Sequence, residues 1–369
     1  MSRSDFLHDS LKWRTIAHFP WSQAIGAMLG FTLPILLGIL SNNSKVAMVA
    51  AMGGFALSGE GVGKTIRKQI SDSIYTIMAG SLAMLAGLLI AKQREWSVFI
   101  LPLTAAIAAL LGGISRPMAR ASTQFIIFAV IASNFKGTGA RVLDVTALFL
   151  IGSTWTVVIC LAMRGLFLGI GMEKPFTVGA NDKQSPKYTA KQLFRRWKQK
   201  LKQLAGWNYA VKLAMCLLAA EIFWREWPNY YGYWVILTVA ILVQRDHKKV
   251  LTKTFQRFLG TLLGVIAASF ILLWSPSVWY SLGMISLLTL IRPVLREGNY
   301  TAYVISMVPL IIFLITRQQT PTPMILIDRL LATITGCLVS LIFGYWMWNG
   351  ILPQKWRIFK LKQFDKPCP

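Results

Sequence analysis

Acidic side chains are scarce in this 369-residue chain: 14 Asp and Glu stand against 39 Lys and Arg, a formal net charge of +25. Charge of either sign is thin as well, at 14% of residues against 55% hydrophobic. A soluble enzyme of this size carries roughly a quarter charged residues, and a disordered basic tail lacks such apolar content, so both are excluded. The cations avoid the long apolar runs instead of crowding one solvated domain, which removes the motive for nucleic-acid binding. Cysteine is sparse too. Cys160, Cys216 and Cys337 lie in apolar runs and Cys368 in the tail, with no CxxC or Cys/His spacing, so neither a metal site nor a disulfide framework is implied. The three histidines, His8, His18 and His247, are far apart, and no cofactor is expected. No Ser/His/Asp set or pair of catalytic carboxylates stands out, so the chain reads as a non-enzyme. The first twenty residues hold mixed charges and no apolar h-region. The run at 22–40 has no small-residue cleavage site and reads as a membrane span, not a signal peptide.

Hydrocarbon is what the chain has in abundance. Apolar runs fall near 22–40, 44–58, 72–91, 97–114, 121–135 and 142–170, then near 208–224, 231–244, 255–274, 277–291, 300–316 and 326–348. A bilayer span wants about 20 residues, and several runs are shorter, so charge has to decide the count. With twelve spans and both termini cytoplasmic, 28 cations fall on inside segments, 7 on outside loops and 4 within spans. That fourfold bias is what the positive-inside rule predicts. The fold class expected is therefore an all-α polytopic membrane protein. Its units are an N-terminal segment 1–21, a six-helix module 22–170, a connector 171–207, a second six-helix module 208–349 and a basic tail 350–369.

The halves read as parallel repeats. Arg116-Pro117-x-x-Arg120 is echoed by Arg292-Pro293-x-x-Arg296, and Leu143-Asp144 with Gly152 by Ile327-Asp328 with Gly336. The short runs are the second, fourth and fifth of each half. In the connector, Leu193, Trp197, Leu201 and Leu204 recur at helical spacing among six cations, the pattern of an amphipathic helix on an anionic cytoplasmic leaflet.

Ser58-Gly59-Glu60-Gly61-Val62-Gly63-Lys64-Thr65 differs from a phosphate-binding loop by Ser58. It follows an apolar span and not a buried strand, so it reads as a Gly-rich turn, and ATP hydrolysis is rejected. Ionisable residues within spans are the better lead, because hydrocarbon tolerates them only when they are paired or wet. Lys212 either snorkels or faces the interior; Glu221 either pairs with Arg225 or serves transport. Arg257 opens a run in which Gly260, Thr261 and Gly264 form a helix-packing face, and it points either to the leaflet or into that cleft. Asp144 and Asp328 sit near the outer starts of spans six and twelve, as partners of the helix dipole or as proton acceptors. Arg329 follows Asp328 inside a span. Gly53-Gly54 interrupts span two, and its counterpart carries Tyr230, Tyr231, Tyr233 and Trp234, either interfacial anchors or a stacking surface for an aromatic substrate.

Tyr233-Trp234-x-x-Leu237-Thr238, a basic turn, Arg257-x-x-Gly260-Thr261-x-x-Gly264 and Asp328-Arg329-Leu330-x-x-Thr333-x-x-Gly336 together resemble the fusaric acid resistance and aromatic acid exporter family. The resemblance covers about 208–349; the first half keeps only Thr76 and Gly80. It implies two six-span modules in a bacterial inner membrane and energy-dependent efflux of aromatic carboxylic acids, often with a periplasmic adaptor. Many members carry a large soluble domain between modules, where this chain has a 37-residue connector, 171–207.

The expected activity is export of small aromatic or other organic acids, driven by the proton-motive force. Trp234, Thr238, Lys212, Arg257, Arg292 and Arg329 are the residues for the anion, and Asp144, Asp328 and Glu221 those for the proton. Gly260, Thr261, Gly264 and Gly336 serve helix packing. The alternatives are a passive organic-anion channel, as in the plant malate channels that resemble one such module, and a non-transporting scaffold subunit. The partners implied are the lipid bilayer, a small organic anion, further copies of the chain in a homo-oligomer and a periplasmic adaptor.

Overall fold

A backbone in hydrocarbon has no water to bond, so apolar runs of this length must satisfy their own amides, and they do so as helices. The computed structural model describes residues 13, 19–57, 65–93, 95–135, 141–172, 189–202, 204–226, 232–245, 247–273, 277–316 and 324–347. Among these residues all regular structure is helical. The first six helices are α1 (Trp21–Leu40), α2 (Ser44–Leu57), α3 (Ile66–Lys92), α4 (Ser97–Leu111), α5 (Arg116–Ser133) and α6 (Val142–Gly169). The connector contributes α7 (Ala190–Lys202). The remainder are α8 (Leu204–Glu226), α9 (Tyr233–Leu242), α10 (His247–Leu273), α11 (Val278–Gly298), α12 (Tyr300–Thr316) and α13 (Met324–Leu341), which ends in a π turn, Ile342–Trp346.

Five helices are long and apolar enough to cross a membrane: α1, α3, α6, α11 and α13 with its π turn. Five more, α2, α4, α5, α9 and α12, are apolar but shorter. Of the rest, α8 and α10 are long, at 23 and 27 residues, and are the helices that carry Lys212, Glu221 and Arg257. Large apolar side chains such as Leu37, Leu103, Val158 and Phe270 face outward, as a lipid-exposed surface requires.

Packing runs in recurring pairs. In the N-terminal half α3 lies against α5 and α6, α1 and α2 against α6, and α4 against α5. In the C-terminal half α10 lies against α12 and α13, α8 and α9 against α13, and α11 against α12. Across the halves, α4 packs on α8 and α11 packs on α1.

Three expectations are corrected. Gly53-Gly54 does not interrupt its span: α2 runs straight through both residues. Their missing side chains instead let α2 press into α6 and α1, since a Cβ on Gly53 would lie 2.7 Å from Ser153 Oγ and one on Gly54 2.6 Å from Thr156 Oγ1. The two Arg-Pro-x-x-Arg copies are not structural equivalents. Gly112-Gly113 ends α4, Ser115 caps the next helix by accepting from the Met118 N–H at 3.3 Å, and Pro117 suits that first turn. No such break precedes Arg292, so α11 continues through Pro293 to Gly298, and Asn299 caps α12 through the Thr301 N–H at 2.7 Å. The fourth helix of the second half is therefore 21 residues long, not short.

The connector helix also makes protein contacts beside its apolar stripe. Leu193, Trp197 and Leu201 are half-buried, and the Trp197 indole donates at 2.9 Å to the Leu110 carbonyl in the last turn of α4, which also accepts from the Gly113 N–H at 3.0 Å. Only part of the apolar stripe is left for lipid, with Phe194 exposed. Trp197→Phe keeps the ring and removes the donor; a loss of about 1 kcal/mol is expected, read as a lower thermal midpoint.

Candidate functional site

Small residues bring the helices of the second half close enough to enclose long side chains. A Cβ on Gly336 of α13 would lie 2.7 Å from the Thr238 Cβ of α9. On α10, Gly260 and Gly264 meet Val304 and Val308 of α12 at 2.7 and 2.9 Å on the same construction. Thr238, Thr261 and Thr333 are fully buried in these seams. Beside these seams Trp234 on α9, Arg257 on α10 and Arg329 on α13 are buried, and Tyr300 and Tyr303 on α12 are half-buried.

Arg329 is 3% exposed, and its guanidinium carbon lies 4.5 Å from the centre of the Trp234 ring, itself 2% exposed. Its Nε and Nη1 are buried without a hydrogen-bond partner, as is Arg257 Nε. Arg257 is close enough to Arg329 for the two cations to repel, and it also interacts electrostatically with Tyr300 and Cys337. Tyr300 stacks on Tyr303 with centroids 6.0 Å apart. Beyond Tyr303, Arg292 of α11 lies 3.5 Å over the Phe55 ring of α2, and donates to the Phe55 carbonyl at 3.1 Å and the Tyr303 hydroxyl at 3.3 Å. The result is a buried run of cations and rings from α9 to α2.

Among the described residues no carboxylate stands in ion-pair range of Arg257 or Arg329. A buried cation without a counter-charge is expensive, by several kcal/mol per ion. An organic carboxylate entering here would satisfy the open guanidinium N–H groups, while the rings offer faces to an aromatic body.

The sequence signature of this seam has a match among known proteins. Residues 213–343 match the model of the fusaric acid resistance protein-like family. This stretch is similar to the domain that defines that family. An uncharacterized protein of Haemophilus influenzae is 26% identical over 161 residues, 43% of this chain and 21% of the relative. The uncharacterized protein YhfK of Escherichia coli is 23% identical over 139 residues, 38% of this chain and 20% of the relative. The uncharacterized protein ORF2 of Neisseria gonorrhoeae is 32% identical over 71 residues, 19% and 17% respectively. The chain thus spans about a fifth of the length of the curated relatives it matches. No solved structure matches. The apolar helices, five of them long enough to cross a bilayer, make this a multi-pass membrane protein.

Of the expected residues, the matched stretch gathers Trp234, Arg257 and Arg329 in one place, with Thr238 and Thr333 on the adjoining seam and Arg292 at its far end. Trp234 is therefore no interfacial anchor. Lys212 stands apart at α8, 1% exposed, so it does not snorkel; a Cβ on Gly344 in the π turn would lie 3.5 Å from its Cε. Glu221 is buried with Oε2 unpartnered, while Arg225 donates to the Glu95 carbonyl at 2.6 Å. Asp328 is buried with Oδ1 unpartnered, whereas Asp144 is exposed in the first turn of α6. The symmetry of these two aspartates stops at sequence. Ser58 to Lys64, Tyr230, Tyr231 and the tail lie outside the described residues.

Sequence reasoning missed several polar contacts away from the cluster. Asp72 of α3 pairs with Arg120 of α5 at 2.7 Å, and Arg164 of α6 donates to Gln69. The signal was Gln69, Asp72, Ser73 and Thr76 on one helical face, hidden because Asp72 marked the edge of an apolar run. Arg245, between α9 and α10, donates to the Ala109 carbonyl at 2.8 Å and lies 5.0 Å over the Tyr209 ring. Burial there lowers its guanidinium from the usual value, and Tyr209 offsets part of that.

Proposed function

We propose that the chain is a twelve-span transporter of a bacterial inner membrane that exports small aromatic or other organic acids, driven by the proton-motive force. The observation that carries this reading is the buried Arg257–Arg329 pair, without a carboxylate counter-charge among the described residues and set against the face of Trp234. A site built to hold no anion would not leave these guanidinium nitrogens buried and unbonded. The recurring helix pairings of the two halves support two parallel six-helix modules, and the 28-to-7 cation bias supports cytoplasmic termini.

In this reading Arg257 and Arg329 hold the carboxylate, Trp234 receives the ring, and Arg292 and Lys212 line the approach. Asp328 and Glu221, buried with one oxygen each unbonded, take up the proton, whereas Asp144 serves the helix dipole at the start of α6. In proteoliposomes under a pH gradient, Asp328→Asn with Glu221→Gln is expected to abolish uphill movement of benzoate while leaving downhill exchange. Uphill movement at the native rate would remove both carboxylates from the mechanism. The function itself is tested with a deletion strain. Selective hypersensitivity to aromatic acids, and none to neutral lipophilic toxins, is the expected phenotype; equal tolerance of both by mutant and parent would contradict it. Anion currents that reverse on the anion gradient alone, with no proton stoichiometry, would identify a channel instead.

A further inference from the structure

We propose that Phe194, Lys191 and Lys198 form a docking face for anionic phospholipid on the connector helix α7. The helix has three sectors with different surroundings. Leu193, Trp197 and Leu201, spaced by four, turn to the protein: all three are half-buried, α7 packs on α8, and the Trp197 indole bonds the Leu110 carbonyl of α4. Gln192 and Gln199 are exposed on the opposite side, which suits water. Phe194 lies on the rim between the two, 55% exposed, with its ring 5.2 Å from that of Trp197. Lys191 stands three residues before it and Lys198 four after, so both flank it on one face, and both are exposed. Arg195, exposed as well, extends the charge toward the water side, and Ala190–Lys202 contains no Asp or Glu.

The way α7 ends holds this face at the height of the headgroups. α7 stops at Lys202 and α8 starts at Leu204, and the Trp207 indole donates to the Leu201 carbonyl at 2.9 Å across the turn. Trp207 is itself 45% exposed at the head of α8, the place where an amphipathic ring meets a membrane–water interface. A soluble acidic partner would meet the water-facing sector, which is neutral glutamine. The cations instead flank an exposed apolar ring, and an anionic leaflet satisfies both at once. The ring enters the acyl boundary, while the lysine stems lie along hydrocarbon and keep their ammonium groups at the phosphates. Attraction to such a surface is worth about fivefold in binding for each cation near it.

The test is hydrogen exchange of the full chain in nanodiscs of phosphatidylcholine, alone or mixed with phosphatidylglycerol, without substrate and so independent of the export reading. Amides of 192–202 are expected to gain about tenfold in protection in the anionic bilayer, and to lose that gain at about 1 M salt, where the Debye length is about 3 Å. Lys191→Gln with Lys198→Gln should remove the gain and leave protection in the neutral bilayer unchanged, whereas Lys191→Arg with Lys198→Arg should keep it. Phe194→Gln should shrink it. Trp197→Phe should lower protection in both bilayers alike, because its partner is the protein. Equal protection in the two bilayers, or a full gain in the glutamine pair or in Phe194→Gln, would overturn the proposal. Soluble polyglutamate that reproduces the gain in the neutral bilayer would overturn it too, by assigning the face to an acidic protein.

Discussion

Arg329→Met is expected to stabilise the protein and to abolish transport of an aromatic acid. Both effects follow from one fact: the guanidinium is buried on Trp234, with Nε and Nη1 unbonded, beside the like charge of Arg257. Methionine fills a similar volume and stacks on the same ring without a charge to desolvate. Replacing buried ionic groups by apolar ones of similar size is neutral or stabilising by about 1–4 kcal/mol. Transport moves the other way. Removing one member of a buried charge-assisted contact with the substrate costs about 2–5 kcal/mol, which is about thirtyfold to several thousandfold in affinity. Thermal unfolding and flux measured on the same preparation check the pair of outcomes. A purely structural arginine would give the opposite pattern, a lower midpoint with transport falling only as far as the folded fraction does.

Gly152→Val carries the second large effect, on folding. Any Cβ at Gly152 would collide with the Ala50 carbonyl oxygen and lie 2.8 Å from the Ala50 Cα, and both are backbone atoms that cannot swing aside. The crossing of α6 on α2 is further pinned by Gly53 against Ser153 and by Gly54 against Thr156, whose hydroxyl donates to the Gly30 carbonyl of α1 at 3.2 Å. Separating the helices at one point therefore loosens all three. A loss of about 3 kcal/mol is expected, enough to remove most of the folded protein from the membrane. Gly165, on the same helix, has nothing within 4 Å of its added Cβ. Gly165→Ala is expected to be neutral or to stabilise by about 0.5–1 kcal/mol through helix propensity alone. Comparing the two by folded yield and thermal midpoint separates close packing from a general intolerance of side chains on α6.

Much of this organisation was legible because hydrocarbon imposes simple rules. Helix boundaries followed the apolar runs, and Gly260 and Gly264 announced a packing face by their spacing. Arg257 and Arg329 stood out because an ionisable residue in an apolar run needs a reason. What was not legible depended on contacts between distant segments. Nothing local to Arg292 points to Phe55, 237 residues away, yet that contact ties α11 to α2. Asp72 drew no attention because a charge at the edge of a run is ordinary, and only packing against α5 buries it. The Arg-Pro-x-x-Arg repeat misled for a different reason. Identical motifs took different places because Gly112-Gly113 and Ser115 break the chain before one copy and nothing breaks it before the other.

The central claim is that the Arg257–Arg329–Trp234 cluster holds an organic anion in transit. Its most direct test is flux of labelled benzoate from proteoliposomes of the wild-type chain and of Arg329→Met, each with its folded fraction measured. The account predicts pH-gradient-driven flux in the wild type and a fall of about a hundredfold in an Arg329→Met protein that is folded at least as well. Equal flux from both proteins would contradict it.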